Sequence, residues 1–179
     1  KKYGAEIPFI RPKELARDNS PDIDFFIHTI DTLGKTGYRP DIIVQLRPTD
    51  PVRHTTLVDD GIRLIIDNPK ADSVRTITAP SYSPYKMWTI NESGYLDPIL
   101  TIEGVPEPFN MPRQELPMVW WHIGLLDIVR TDVVTSTNSL SGRNILPLMV
   151  DHDSSADIDT LADFEQAELL IENIDCVKP

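Results

Sequence analysis

Apolar residues recur along this chain at helical spacing in some stretches and in short continuous runs in others. Ser20-Pro21-Asp22 reads as a helix start, a serine cap followed by proline at the first helical position. Ile23, Phe26, Ile27, Ile30 and Leu33 then mark one helix face, and Gly34 and Gly37 end the run. Residues 41–46 read as a buried strand, and residues 47–53, with two prolines, as a loop. Thr55 or Thr56 caps a second helix whose inner face is Leu57, Val58, Gly61, Ile62, Ile65 and Ile66. Residues 73–78 read as another strand, and residues 4–9 as a short strand or its end. This alternation predicts a parallel sheet wrapped by helices.

The pattern changes at residue 80. Residues 80–113 carry six prolines and two short strand candidates, 87–90 and 95–100. Residues 116–129 return as a long apolar stretch, and 146–150 as a last core strand. Thr160 followed by Asp163 is a capping-box-like start for a closing helix spaced by Leu161, Phe164, Ala167, Glu168 and Ile171. With no internal repeat and no flexible linker, residues 1–179 read as one domain with an arm inserted at 80–129.

Composition narrows the partners. Seventeen basic against 28 acidic residues leave a net charge of −11, which argues against nucleic acid or an anionic membrane as partner. A small anionic ligand stays open, because a local arginine cluster can hold one. No apolar stretch reaches the ~18 residues of a membrane helix. Lys1-Lys2-Tyr3-Gly4 shows no signal-peptide pattern. The one cysteine, Cys176, excludes an internal disulfide framework and a multi-cysteine zinc site, and fits a reducing, cytoplasmic location.

Residues 151–160 are the richest in candidate chemistry, with four carboxylates between a strand and a helix start. In an extended stretch Asp157 and Asp159 point to one side and Ile158 to the other. Two such carboxylates suit magnesium, which takes oxygen ligands and shares them with substrate phosphates. An acidic turn with helix capping is the plainer alternative. A calcium loop fits badly: counted from Asp151, position six is Ala156 and position twelve Ala162. Arg47 and Arg53 follow a strand end, where open α/β sheets bind ligands, and can clamp carboxylate or phosphate; a proline-fixed turn with solvated arginines is the alternative. Lys86 and Arg113 sit in turns of the excursion. The four histidines are scattered without zinc spacing, and no role is assigned to them.

Six segments in order resemble the acylneuraminate cytidylyltransferase family. They are Tyr-Gly-Ala-Glu-Ile-Pro-Phe-Ile-Arg-Pro at 3–12, Glu-Leu-Ala-Arg-Asp at 14–18 and Leu-Arg-Pro-Thr-Asp-Pro-Val-Arg at 46–53. Pro-Tyr-Lys-Met-Trp at 84–88, Arg-Gln-Glu-Leu-Pro at 113–117 and Asp-Ile-Asp-Thr at 157–160 complete the set. The resemblance implies an α/β fold, a three-layer Rossmann-like nucleotidyltransferase sheet with an inserted dimerisation arm, and a homodimer. It implies transfer of CMP from CTP to a nonulosonic, sialic-type acid with release of pyrophosphate, assisted by Mg2+. By the same resemblance Asp157 and Asp159 are the metal-binding and catalytic aspartates. Arg11 is a nucleotide-side arginine, and Arg47, Lys86, Arg113 and Gln114 bind substrate.

The chain departs from the family in three ways. The family opens with a strand and a Gly-rich, Lys/Arg-bearing loop that cradles the CTP phosphates; no such segment occurs here, so the resemblance implies a missing amino-terminal portion and little turnover from residues 1–179 alone. Arg47 stands for the usual glutamine and Asp50 for the usual serine, which points to a sugar other than N-acetylneuraminate, such as a legionaminic-type acid. Ile123-Gly124 replaces the family's Asn-Gly and removes a polar sugar contact. Three other readings remain beside the leading one. They are a cytidylyltransferase for another 3-deoxy-keto acid, a glycosyltransferase with an Asp-x-Asp metal site, and a degenerate dimeric sugar-binding relative without catalysis.

Overall fold

The computed structural model describes residue 2, residues 4–151 and residues 156–173, the last by its backbone. Lys1, Tyr3, His152 and Cys176, singled out above, lie outside the described residues, as do Asp153, Ser154 and Ser155. Helix α1 (Asp22–Lys35) is followed by strand β1 (Ile42–Gln45), helix α2 (Leu57–Asp67) and strand β2 (Ser73–Thr78). The excursion carries a hairpin of β3 (Trp88–Ile90) and β4 (Leu96–Pro98). Strand β5 (Trp121–Arg130), helix α3 (Thr131–Thr137), strand β6 (Ile145–Met149) and helix α4 (Leu161–Asn173) complete the chain.

The main sheet has the order β1-β5-β2-β6. β2 and β6 are parallel, whereas β5 runs antiparallel to both β1 and β2. The expected all-parallel sheet is therefore corrected to a mixed one. The chain leaves the sheet at the carboxyl end of β2, passes through the arm and re-enters at that same end, so β5 runs back alongside β2. β5 is buried along most of its length because it is covered on both faces. On one face α2 packs Leu57 and Ile65 onto Leu126 and Ile128. On the other, α1 and α3 pack Phe26, Val133 and Val134 onto Val129. Each such fully buried aliphatic side chain contributes roughly 1.5–3 kcal/mol. The layering is helix, sheet, helix, as expected. Gly61 allows the close approach of α2: a Cβ there would lie 2.7 Å from Ile128 Cδ1 and 2.8 Å from Leu126 Cδ2.

Several local expectations are revised. Residues 4–9 form no strand. Ser20 does not cap α1; its hydroxyl accepts the Arg17 N–H and donates to the Glu14 carbonyl, tying down the preceding turn. Gly34 lies inside the helix, and Gly37 (φ +86) ends it. There the Gly37 N–H donates to the Gly34 carbonyl and the Tyr38 N–H to the Leu33 carbonyl, the two bonds of a Schellman stop. Thr56 makes no side-chain capping bond, and Ile66 is exposed. β6 is an edge strand facing the core only through Leu146 and Leu148. Leu161 and Phe164 of α4 are exposed, while Ala167 is buried.

Candidate active site

The strand ends build one wall. The loop after β1, the segment after β2, the start of the reversed β5 and the segment after β6 all border a cavity of about 940 Å3. It lies at the carboxyl ends of β1, β2 and β6, where open α/β sheets place their ligands. Asp50, Tyr82, His122, Asp157 and Asp159 are among its lining residues.

Backbone and side-chain bonds fix this wall. Ile158 donates its N–H to the Thr49 carbonyl at 2.7 Å, and Ala156 donates to Asp50 Oδ1 at 3.3 Å. Residues 156–158 are thereby laid against the loop that follows β1. Ile158 packs inward with Val52, Ala156 and Ala167, whereas Asp157 and Asp159 are exposed to the cavity. Arg53 braces the same loop from behind, donating Nε to the Leu125 carbonyl at 2.9 Å and a terminal N–H to the Arg47 carbonyl. Burial pushes the Asp50 carboxyl up from its ordinary pKa; the Ala156 N–H and Arg53 counter this, and Asp157 adds to it. Burial also lowers the Arg53 pKa, against the opposing effect of Asp50.

The capping box at 160–163 forms as the spacing predicts. Thr160 N–H and Oγ1 lie 2.7 and 2.8 Å from Asp163 Oδ2, and the Asp163 N–H returns to Thr160 Oγ1. The Thr160 hydroxyl, then the N–H groups of Thr160 and Asp159, hold the Asp163 carboxyl below the usual range. Asp163 is thus engaged at the helix start, whereas the side chains of Asp157 and Asp159 are exposed on the cavity wall.

Other expected site residues lie elsewhere. Lys86 Nζ donates to the carbonyls of Phe109 and Met111, and Arg113 donates to the Pro80 carbonyl at 2.6 Å, so both brace the arm. Arg11 stacks its guanidinium 4.3 Å from the Phe25 ring centre. Arg47 lies 3.8 Å from both Asp22 and Asp127, and its stem covers Gly124. Gln114 is exposed in a 3-10 turn. None of these five is among the described lining residues of the cavity.

The sequence reading missed an ionic cluster built on β5. Between Arg75 and Ile77, β2 advances two residues, while its partner positions on β5 run from Asp127 back to His122, five residues. The surplus forms a bulge at residues 123–126. The buried Thr76 hydroxyl holds it, lying 2.8 and 3.0 Å from the carbonyls of Ile123 and Leu126 and accepting the Leu126 N–H at 3.2 Å. The bulge brings His122 Nε2 to 2.9 Å from Asp127 Oδ1. In a regular strand residues five apart sit ~16 Å from one another on opposite faces. Arg75 completes the cluster, 2.5 Å from Asp127 Oδ2. No sequence motif marks it, because the pairing depends on a register shift.

Among the described residues no group of three potential metal ligands is assembled. Two outward carboxylates nevertheless fit magnesium, which keeps several waters and is commonly bound through one or two carboxylates and substrate phosphates.

No protein-family profile matches the chain. It is 27% identical over 165 residues, covering 92% of this chain, to N-acylneuraminate cytidylyltransferase from Escherichia coli O18:K1:H7 (strain RS218 / NMEC). Its fold superposes on that of CMP:2-keto-3-deoxy-manno-octonic acid synthetase complexed with CTP. There the TM-score is 0.55 and the identity 18%, with 88% of this chain and 70% of that one covered. The chain is thus similar in sequence to one cytidylyltransferase and in fold to a CMP-sugar synthetase. It spans about 37% of the length of the curated relative. The mixed sheet with helices on both faces shares the fold of that synthetase. No helix among the described residues is long and apolar enough to cross a membrane.

Proposed function

We propose that this chain serves CMP transfer from CTP to a nonulosonic, sialic-type acid, with release of pyrophosphate. The observation that carries the reading is the placement of Asp157 and Asp159 together on the wall of the strand-end cavity. The likeness to N-acylneuraminate cytidylyltransferase over 92% of the chain supports it. In this reading the sugar's anomeric hydroxyl attacks the α-phosphorus, and the P–O bond to the pyrophosphate leaving group breaks. Asp157 and Asp159 would hold Mg2+, which supplies Lewis-acid neutralisation of the phosphates. The chain's own part is positioning: Ile158 and Val52 anchor the aspartate stretch from behind, and Asp50 fixes its Ala156 N–H.

The described wall carries the carboxylates of Asp50, Asp157, Asp159 and Asp163 and no lysine or arginine. Binding of CTP to it therefore depends on the cation. Pyrophosphate release by the full-length gene product, tested on CTP with a panel of nonulosonic and octulosonic acids and a sugar 1-phosphate, decides the matter. Release with a sialic- or legionaminic-type acid supports the reading; release with a sugar 1-phosphate alone overturns it.

A second reading, a dimeric sugar-binding relative without catalysis, is favoured by Lys86 and Arg113 being engaged with backbone carbonyls. Its mark is acid binding by calorimetry without CTP turnover. In either reading we place a homodimer contact on the arm at 80–129.

A further inference from the structure

The cavity holds a nitrogen base that the sequence leaves without a role. His122 lines the same cavity as Asp157 and Asp159, and its side chain is about half exposed. Its Nε2 lies 2.9 Å from Asp127 Oδ1, and Asp127 is buried on the central strand. An ionised carboxylate only accepts hydrogen bonds, so this contact places the imidazole proton on Nε2 and leaves the lone pair on Nδ1. Asp127 is held in turn by Arg75, whose guanidinium also donates to the Leu140 carbonyl and the Ser141 hydroxyl. A base oriented by a fixed carboxylate at a cavity wall is an arrangement used for proton abstraction.

We infer that His122 is the catalytic base that takes the proton from the attacking sugar hydroxyl, with Asp127 as its positioning residue. The inference rests on the nucleotidyl-transfer reading above. The step balances within that reaction. The hydroxyl oxygen forms the new bond to the α-phosphorus, its proton passes to Nδ1, and pyrophosphate leaves with the electron pair of the broken P–O bond. The neutral imidazole becomes imidazolium, and Asp127 stabilises the charge. The bulge gives this cluster its shape, since Thr76 fixes the residues that separate His122 from Asp127.

Other charged groups bear on His122. Behind it, Arg75 and Arg47 both approach Asp127. The same cavity is lined by Asp50, Asp157, Asp159 and Asp163, and by Tyr82 on the segment after β2.

The test uses the full-length gene product with CTP, magnesium and the accepted acid. His122→Gln keeps an amide N–H for Asp127 and removes the titrating nitrogen. The expected result is a kcat loss of about 10²–10⁴-fold with KM for CTP little changed. The acid limb of the kcat–pH profile should flatten, and added imidazole should restore part of the rate to His122→Ala. Asp127→Asn should lower kcat less and leave the variant unresponsive to imidazole. An active wild type whose His122→Gln variant keeps near-normal kcat, or an unchanged acid limb, overturns the inference alone. A wild type that releases no pyrophosphate with any acid of the panel overturns the functional reading and this inference with it.

Discussion

Asp159 and Asp163 sit four residues apart and do different work. Asp163 is committed to the start of α4, accepting from Thr160. Asp159 is exposed on the cavity wall, and only its backbone N–H joins the cap. Asp159→Asn keeps the side chain's shape and removes one charged ligand, so turnover should fall on the order of a hundredfold or more under saturating magnesium. The melting temperature should hold, because removing one of several like charges relieves repulsion in the cation-free wall. Asp163→Ala should show the reverse, a lower melting temperature with little change in rate. The acid behaviour follows from the same bonds. Asp163 titrates below its unfolded value of ~3.9, so its contribution is complete above that value. It is lost as pH falls through the depressed folded value. Asp72 has the same sign, through the N–H groups of Asn144 and Arg143. Helical circular dichroism followed into acid should show the wild type losing α4 signal there, and Asp163→Asn losing its advantage at neutral pH instead.

At the scale of elements, β5 decides the architecture. Its bulge puts the consecutive Leu125 and Leu126 into one core cluster with Ile123 and Ile128, which a regular strand's alternation forbids. Thr76→Val keeps the volume and removes the hydroxyl that satisfies the bulge. Unpaired buried backbone groups then cost about 1–3 kcal/mol, read as a lower urea midpoint with unchanged m. Thr76→Ser, which keeps the oxygen, should recover most of the loss. The helices α1 and α2 were legible because one apolar period runs through each, and β2 because its short β-branched run follows a turn. The capping box was legible because its chemistry is local. α3 was not: its Thr131–Thr137 run is Ser/Thr- and Val-rich, and packing of Val133 and Val134 onto Val129 makes it helical. The aspartate pair was readable from alternation, but the His122–Asp127 contact was not, since five residues normally separate rather than join two side chains. Lys86 and Arg113 carried charge in the sequence whose partners, backbone carbonyls, only the folded arm supplies.

At the scale of the molecule, the large exposed apolar side chains among the described residues concentrate on the arm. Ile90, Tyr95 and Met118 are each about three-quarters exposed. A contact that covers them would remove these apolar side chains from water. Light scattering at micromolar concentration should return twice the chain mass, and Ile90→Lys with Met118→Lys should halve it; a wild-type monomer would count against the arm contact. The central strand joins this arm to the core, and its two halves are held unequally. Residues 127–129 are laddered to β1 on one side and β2 on the other, whereas Trp121 and His122 pair with β2 alone. In deuterium exchange the amides of 127–129 should be among the last to turn over, and those of 121–124 should go much sooner. On that expectation one strand keeps two clocks, a slow one where it is laddered on both sides and a quick one at the border of the cavity.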